Sequence, residues 1–110
     1  MSEPTLSEVF GTGAAVDGAS LSIPAAFFTA QGLTISSSTR AESLVAALAK
    51  GWTNSLTETA RASDLVNRNV TNTYAGQDVI SQSGTQYRRD VYSIVLYKTT
   101  TLATVDPNDY

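Results

Sequence analysis

The sequence predicts an α+β protein: one main amphipathic helix packed on a mostly antiparallel β-sheet, with extended N- and C-terminal arms. Three observations carry this. Ala41, Leu44, Val45, Leu48, Trp52 and Leu56 recur at helical spacing and form one apolar stripe. From Asn69 the period changes to two, around the turn-forming pair Ser83-Gly84. The polar residues are mostly Ser and Thr, which suit turns, caps and half-buried pleated surfaces. With 42% apolar and 15% charged residues, the chain is unlike a disordered one and should fold. Its 110 residues fit a single domain, with residues 1–12 as an arm, 20–101 as the core and 102–110 as a tail.

Taken in order, Pro4 and its polar neighbours suggest an extended lead-in, with Val9-Phe10 as its docking point. Gly11-Thr12-Gly13 punctuates the chain, and Asp17-Gly18 signals a turn. Leu21-Ser22-Ile23 and Leu33-Thr34-Ile35 alternate as short strands. Between them Pro24 opens and Gly32 closes a brief helix over 25–31, which presents Phe27 or Phe28 inward. Thr39 and Glu42 have the spacing of a capping box, and the main helix follows at about 40–57, with Gly51 as a weak spot. Residues 58–68 suit either a prolonged helix or a connecting loop. Val70 to Tyr74 alternates as a strand that Ala75-Gly76 ends, and residues 78–82 form another. A long strand over 85–100 follows the Ser83-Gly84 turn. Val91 to Tyr97 is apolar on both faces, the mark of a central strand covered on two sides. The acidic, turn-rich close at Asp106-Pro107-Asn108-Asp109-Tyr110 reads as a tail.

Composition excludes much chemistry. With no Cys and no His, thiol nucleophiles, disulfides and thiolate or imidazole metal sites are all absent. A Ser nucleophile would need Lys50 or Lys98 as its base, and neither has a suggestive context. Asp106 and Asp109 lie in the expected tail, where exposure leaves nothing to raise the pKa of a general acid and the spacing does not match a calcium loop. Gly11, Gly13 and Gly18 lack the third glycine of the dinucleotide fingerprint, because Val16 stands there. No catalytic residue, cofactor or metal is expected, so the chain is read as no enzyme.

The formal charge is −3, and the seven basic residues are scattered apart from Arg88-Arg89, which Asp90 follows. Nucleic-acid binding needs a concentrated basic face, so no such partner is expected. The chain opens with the polar Met1-Ser2-Glu3-Pro4, and its longest nearly apolar run, Leu44 to Ala49, is far short of a bilayer span. The expectation is a protein made in the cytoplasm with no signal peptide and no membrane partner. Asn69-Val70-Thr71 has the form of a glycosylation sequon but reads as strand sequence.

What remains is contact. Tyr and Arg are enriched at interface hot spots, which singles out Tyr87, Arg88, Arg89 and Tyr92; cross-strand packing with solvated Arg is the equal alternative. Ile94 and Leu96 join Tyr92 in an apolar patch that another subunit, the N-terminal arm or the Phe27-Phe28 region would cover. A homo-oligomer or lattice-bound subunit is therefore expected.

Four segments carry a resemblance: Val9-Phe10-Gly11-Thr12-Gly13-Ala14, Ala41-Glu42-Ser43-Leu44-Val45-Ala46-Ala47-Leu48, Gln86-Tyr87-Arg88-Arg89-Asp90-Val91-Tyr92 and Val105-Asp106-Pro107-Asn108-Asp109-Tyr110. In them the chain resembles small virion structural proteins of tailed bacteriophages, especially those infecting cyanobacteria. The resemblance implies a non-catalytic virion component, assembled in the bacterial cytoplasm with capsid or tail subunits as partners. Small size, acidic charge and the lack of a pore-lining pattern favour a capsid decoration (cement) protein; a head–tail connector or a tail or baseplate component is the alternative. An alternative of another class is a small glycan- or ligand-binding module using Tyr87, Tyr92 or Trp52 as its platform.

Overall fold

A computed structural model of the chain describes residues 3–98 and 107–109. Helices take 35% of the chain and strands 30%, and the two classes are largely segregated along it, so the protein is α+β. Helix α1 (Leu6–Phe10) leads into a two-stranded ribbon of β1 (Ala15–Val16) and β2 (Leu21–Ser22). Helices α2 (Ala25–Ala30), α3 (Ala41–Ser55) and α4 (Glu58–Ser63) follow, and then the long strands β3 (Val70–Gln82) and β4 (Thr85–Leu96). Pro107–Asp109 forms a 3-10 turn.

The core is small and sits between α2 and α3. Phe27 and Phe28 meet edge to face at 5.4 Å and bury against Ala47, with Ile23, Leu33, Leu44, Leu48 and Trp52 packed around them. The expected stripe faces this core at Leu44, Leu48 and Trp52, and the buried face extends beyond it. Ala47 and Gly51 are buried, whereas Val45 is 65% exposed. Small residues at 47 and 51 let α2 approach closely enough to bring its two phenylalanine rings onto α3.

An extended arm is expected over residues 1–12, but residues 6–10 coil into α1 and dock on α3. Thr5 caps this helix: its Oγ1 accepts the Glu8 N–H at 3.1 Å, and its hydroxyl donates to the Glu8 carboxylate at 3.4 Å. The expected docking point is the contact used. The Trp52 indole Nε1 donates to the Val9 carbonyl at 3.0 Å, and Phe10 meets the Trp52 ring edge-on at 6.1 Å. Arg68, almost completely buried, adds an ion pair to Glu8 at 3.0 Å. Of the expected tail over 102–110, only Pro107–Asp109 lies within the described residues.

The expected capping box at Thr39 and Glu42 does not form. Thr39 Oγ1 instead accepts the N–H of Ser36 at 2.7 Å, which ties it into the preceding turn, and Arg40 stands at the N-cap without a side-chain capping bond. Residues 33–35 form no strand, and the ambiguous stretch after α3 resolves into α4, capped by Thr57 accepting from Ala60 N–H at 3.0 Å. The Asp17-Gly18 turn closes the small ribbon, with Asp17 Oδ1 accepting from Ala19 and Ser20 N–H.

The largest departure concerns the sheet. Ala75-Gly76 does not end a strand: β3 runs on through a bulge between Tyr74 and Gly76, and β3 and β4 form one antiparallel hairpin. Among the described residues no third strand joins it, because β2 pairs with β1 elsewhere, so β4 is an edge strand there and not a central one. Among the described residues, those that cover the hairpin do so at its root. On one side Asn72 donates its backbone N–H to Leu56 O at 2.8 Å and its side-chain amide to Ala49 O at 2.7 Å, fixing β3 to α3. On the other side α4 approaches. The Arg61 guanidinium lies 3.5 Å from the Tyr97 ring centroid, and Tyr97 OH donates to Glu58 at 3.3 Å. Beyond this clamp the hairpin projects. The radius of gyration, 18.4 Å, exceeds the ~13 Å of a compact domain of this length.

Candidate partner interface

The two hairpin strands are closed by a two-residue turn. Ser83 and Gly84 both have positive φ, 50° and 80°, which matches the right-handed twist of the flanking strands. Gln82 therefore stands opposite Thr85, Ile80 opposite Tyr87 and Asp78 opposite Arg89. Past the bulge, Tyr74 faces Tyr92 and Asn72 faces Ile94. Alternation then divides the six candidate contact residues between two faces. Arg88, Tyr92, Ile94 and Leu96 share one face of the ribbon with Asp90. Tyr87 and Arg89 lie on the other face with Val91.

On the first face, Tyr92 is half-buried against Tyr74, ring centroids 5.2 Å apart. Tyr74 OH donates to Asp90 Oδ1 at 2.8 Å, and Arg88 Nε lies 3.3 Å from the other Asp90 oxygen. The Tyr74 bond first, and then one from Gln77, hold the Asp90 carboxyl below its ordinary range. Desolvation and the same bond to Asp90 push the Tyr74 phenol up. Ile94 and Leu96 remain 53% and 76% exposed at the root. Ile94 lines a cleft of about 380 Å³ that Val9, Trp52, Leu56, Val70 and Asn72 also border, and Asn72 Oδ1 is buried there without a hydrogen-bond partner.

On the second face, Arg89 forms a bidentate pair with Asp78, its Nε 2.7 Å from Oδ1 and its Nη2 on Oδ2. Hydrogen bonding to Arg89 holds the Asp78 carboxyl below its ordinary range and raises the guanidinium in turn. Tyr87 is 50% exposed. Its neighbours Arg88, Arg89 and Val91 are exposed as well.

The residues that complete the surface are on β3, and sequence reasoning passed over them. Counting outward from the Ser83-Gly84 turn places Asp78 opposite Arg89 and Ile80 opposite Tyr87, so that much was within reach. The Tyr74–Asp90 bond was not, because it depends on the bulge. Other motifs fall into structural places. Gly11 closes α1 rather than following a strand, Lys50 Nζ donates to Gln31 O at 3.1 Å, and Thr71 of the sequon-like triplet is fully buried. Tyr87 and Tyr92 lie on opposite faces, and the Trp52 indole is engaged by Val9 and Phe10, so the three do not form one platform. Among the described residues, no cluster of acidic side chains could hold a metal ion, and no helix is long and apolar enough to cross a membrane.

Comparison of the chain with protein-family models, with characterised proteins and with solved structures finds no match.

Proposed function

We propose that this chain is a non-catalytic structural subunit of a tailed-phage virion, acting by protein–protein contact, with the projecting hairpin as the element that reaches its neighbours. The observation behind this reading is the hairpin itself. It is a long ribbon with one bulge that, among the described residues, is anchored only at its root, with Val79, Tyr87 and Val91 exposed along its length. A two-stranded ribbon alone is at best marginally stable in water, so one held out from a small body gains from a surface to lie against. The sequence resemblance supplies the setting, with capsid or tail subunits as partners. A small acidic subunit suits capsid decoration. The elongated shape, 59 × 45 × 28 Å, favours a second reading, a head–tail connector or tail component in which such ribbons reach along adjacent subunits.

The test is incorporation into particles. Removing residues 77–82 and 85–90 joins the Gly76–Val91 rung directly to the Ser83-Gly84 turn and should leave the helical body folded. The full chain is expected to copurify with virions or with co-expressed capsid and tail proteins, and the shortened chain to remain in the soluble fraction. Equal incorporation of the two would overturn the role of the hairpin. Failure of the full chain to enter any particle would overturn the reading as a whole.

A further inference from the structure

The two outer edges of the hairpin are not alike. The edge of β3 is occupied at its root, where the Asn72 N–H bonds to Leu56 O, and it is distorted at the Tyr74–Gly76 bulge. Bulges and covering segments are the usual means by which an edge strand is kept from pairing with another chain. Among the described residues the edge of β4 has neither. It runs without a register shift from Thr85 to Leu96, and among the described residues no other segment's backbone bonds to it.

The direction of its backbone groups follows from the Asn72 bond. Because the Asn72 N–H points away from β4, the Asn72–Ile94 pair is a non-hydrogen-bonded one, and the N–H and C=O of Ile94 also point outward. Alternation then turns the backbone groups of Gln86, Arg88, Asp90 and Tyr92 outward as well. Their side chains share one face, so the order of charge along that open edge is Arg88 and then Asp90.

We infer that this edge pairs with the same edge of a second copy, β4 to β4 and antiparallel about Arg89, making a continuous four-stranded ribbon. The register is chosen by charge. Centred on Arg89, Arg88 faces Asp90 of the second copy and Asp90 faces its Arg88, while Gln86 faces Tyr92. A shift of two residues in one direction sets Asp90 against Asp90, and in the other direction Arg88 against Arg88. Like charges directly opposite are destabilising. On the reverse face the same register sets Tyr87 against Val91 of the second copy, an aromatic and β-branched pair that is exposed in the single chain. The two Arg89 side chains meet at the dyad, but each is already paired with its own Asp78. The two helical bodies stand at opposite ends of the ribbon, clear of one another. This pairing deepens the assembly reading above by naming a second copy as one of the hairpin's neighbours.

The test uses the full chain and sedimentation analysis. The wild type is expected to form a dimer. Arg88→Asp alone places Asp against Asp, and Asp90→Arg alone places Arg against Arg, so each should weaken association at least about tenfold. An equimolar mixture of the two variants restores opposite charges at both positions, and a heterodimer should form. No effect confined to one chain gives that recovery. As a second variant, Gln86→Pro removes an outward N–H without touching the bonds to β3, and should also give a monomer. A wild type that stays monomeric up to about 1 mM overturns the inference, as does a mixture that fails to associate. A monomeric wild type that still enters particles overturns only the self-pairing and leaves the assembly reading standing.

Discussion

The ring of Phe27 closes onto the backbone of Gly51, so near that a methyl group added there would stand 2.5 Å from Cζ. At its other end the Cβ of Phe27 would lie 3.0 Å from a Cβ on Gly11. The ring is thus held lengthwise between two glycines and edge-on by Phe28. In an exposed helix Gly51→Ala would gain about 1 kcal/mol. Here the overlap costs about 1–3 kcal/mol, because a confined ring has nowhere to move. The expected outcome is a net loss, seen as a fall of a few degrees in Tm. In a Phe27→Leu background the same substitution should cost less, since the overlapping atoms are gone. A double-mutant cycle measures the difference.

A second prediction concerns acid. Hydrogen bonding to Arg68 holds the Glu8 carboxyl below its ordinary value of 4.5. A depressed folded pKa contributes stability that is present above the unfolded value and is lost as pH falls through the folded one. As pH falls below 4.5 and on through the lower folded value, the Glu8–Arg68 pair should fail and α1 should loosen from α3. Trp52 reports this directly, because its indole is held by Val9 and edged by Phe10. Its emission should shift to the red on acidification. Glu8→Gln should show part of that shift already at pH 7 and a flatter response below it. An unchanged emission from pH 7 to pH 3 would show that α1 does not depend on the pair.

The same contacts explain what the sequence disclosed and what it withheld. The main helix, the Phe27-Phe28 turn and the two-residue hairpin turn were legible, because each is specified by residues close together in the chain. Which threonine caps a helix was not, since Thr5 to Glu8 and Thr39 to Glu42 have the same spacing. Only Thr5 caps, because the Thr39 hydroxyl is drawn back to Ser36. The stripe of α3 was legible at Leu44, Leu48, Trp52 and Leu56 but not at Ala47 and Gly51, which carry little hydrophobic signal, yet their smallness is what admits Phe27. The apolar character of Val91 to Tyr97 suggested a covered strand. Local pattern cannot tell burial in the same chain from a surface left for another one, so β4 was read as central. Of the candidate site, the β4 residues were found, whereas their division between faces and their β3 partners depended on register and bulge.

A third prediction tests the clamp at the hairpin root. Asn72 is almost completely buried and ties β3 to two carbonyls at the C-terminal end of α3, Leu56 and Ala49. Asn72→Ala removes the side-chain bond and should cost about 1–3 kcal/mol in chemical denaturation. Asn72→Asp keeps the shape but brings a carboxylate against the Ala49 carbonyl, and should be worse at pH 7 than Asn72→Ala. It should recover part of the difference as the solution is made acidic and the carboxyl takes a proton. If the two variants are equally stable at every pH, the amide bond to Ala49 is not what holds the root.

The last prediction separates the stability of the hairpin tip from that of the body. Ser83 occupies a left-handed conformation, φ 50°, that an L-residue reaches at some cost, while Gly84 at φ 80° reaches it freely. Asn tolerates this conformation better than Ser, and Asn-Gly is the preferred pair for such a turn. Ser83→Asn should therefore stabilise the hairpin, and Gly84→Val should destabilise it, because a β-branched residue is a steric outlier there. The core lies between α2 and α3, and among the described residues the ribbon is bonded to the body near Asn72 and Tyr97. The effect should accordingly stay local. Amide exchange across residues 77–90 should slow in Ser83→Asn and quicken in Gly84→Val, while the thermal transition followed by Trp52 fluorescence stays within about 0.5 kcal/mol of the wild type. A shift of the Trp52 transition equal to the change at the tip would show that hairpin and body unfold as one unit, and the ribbon could not then serve as an independently adaptable arm.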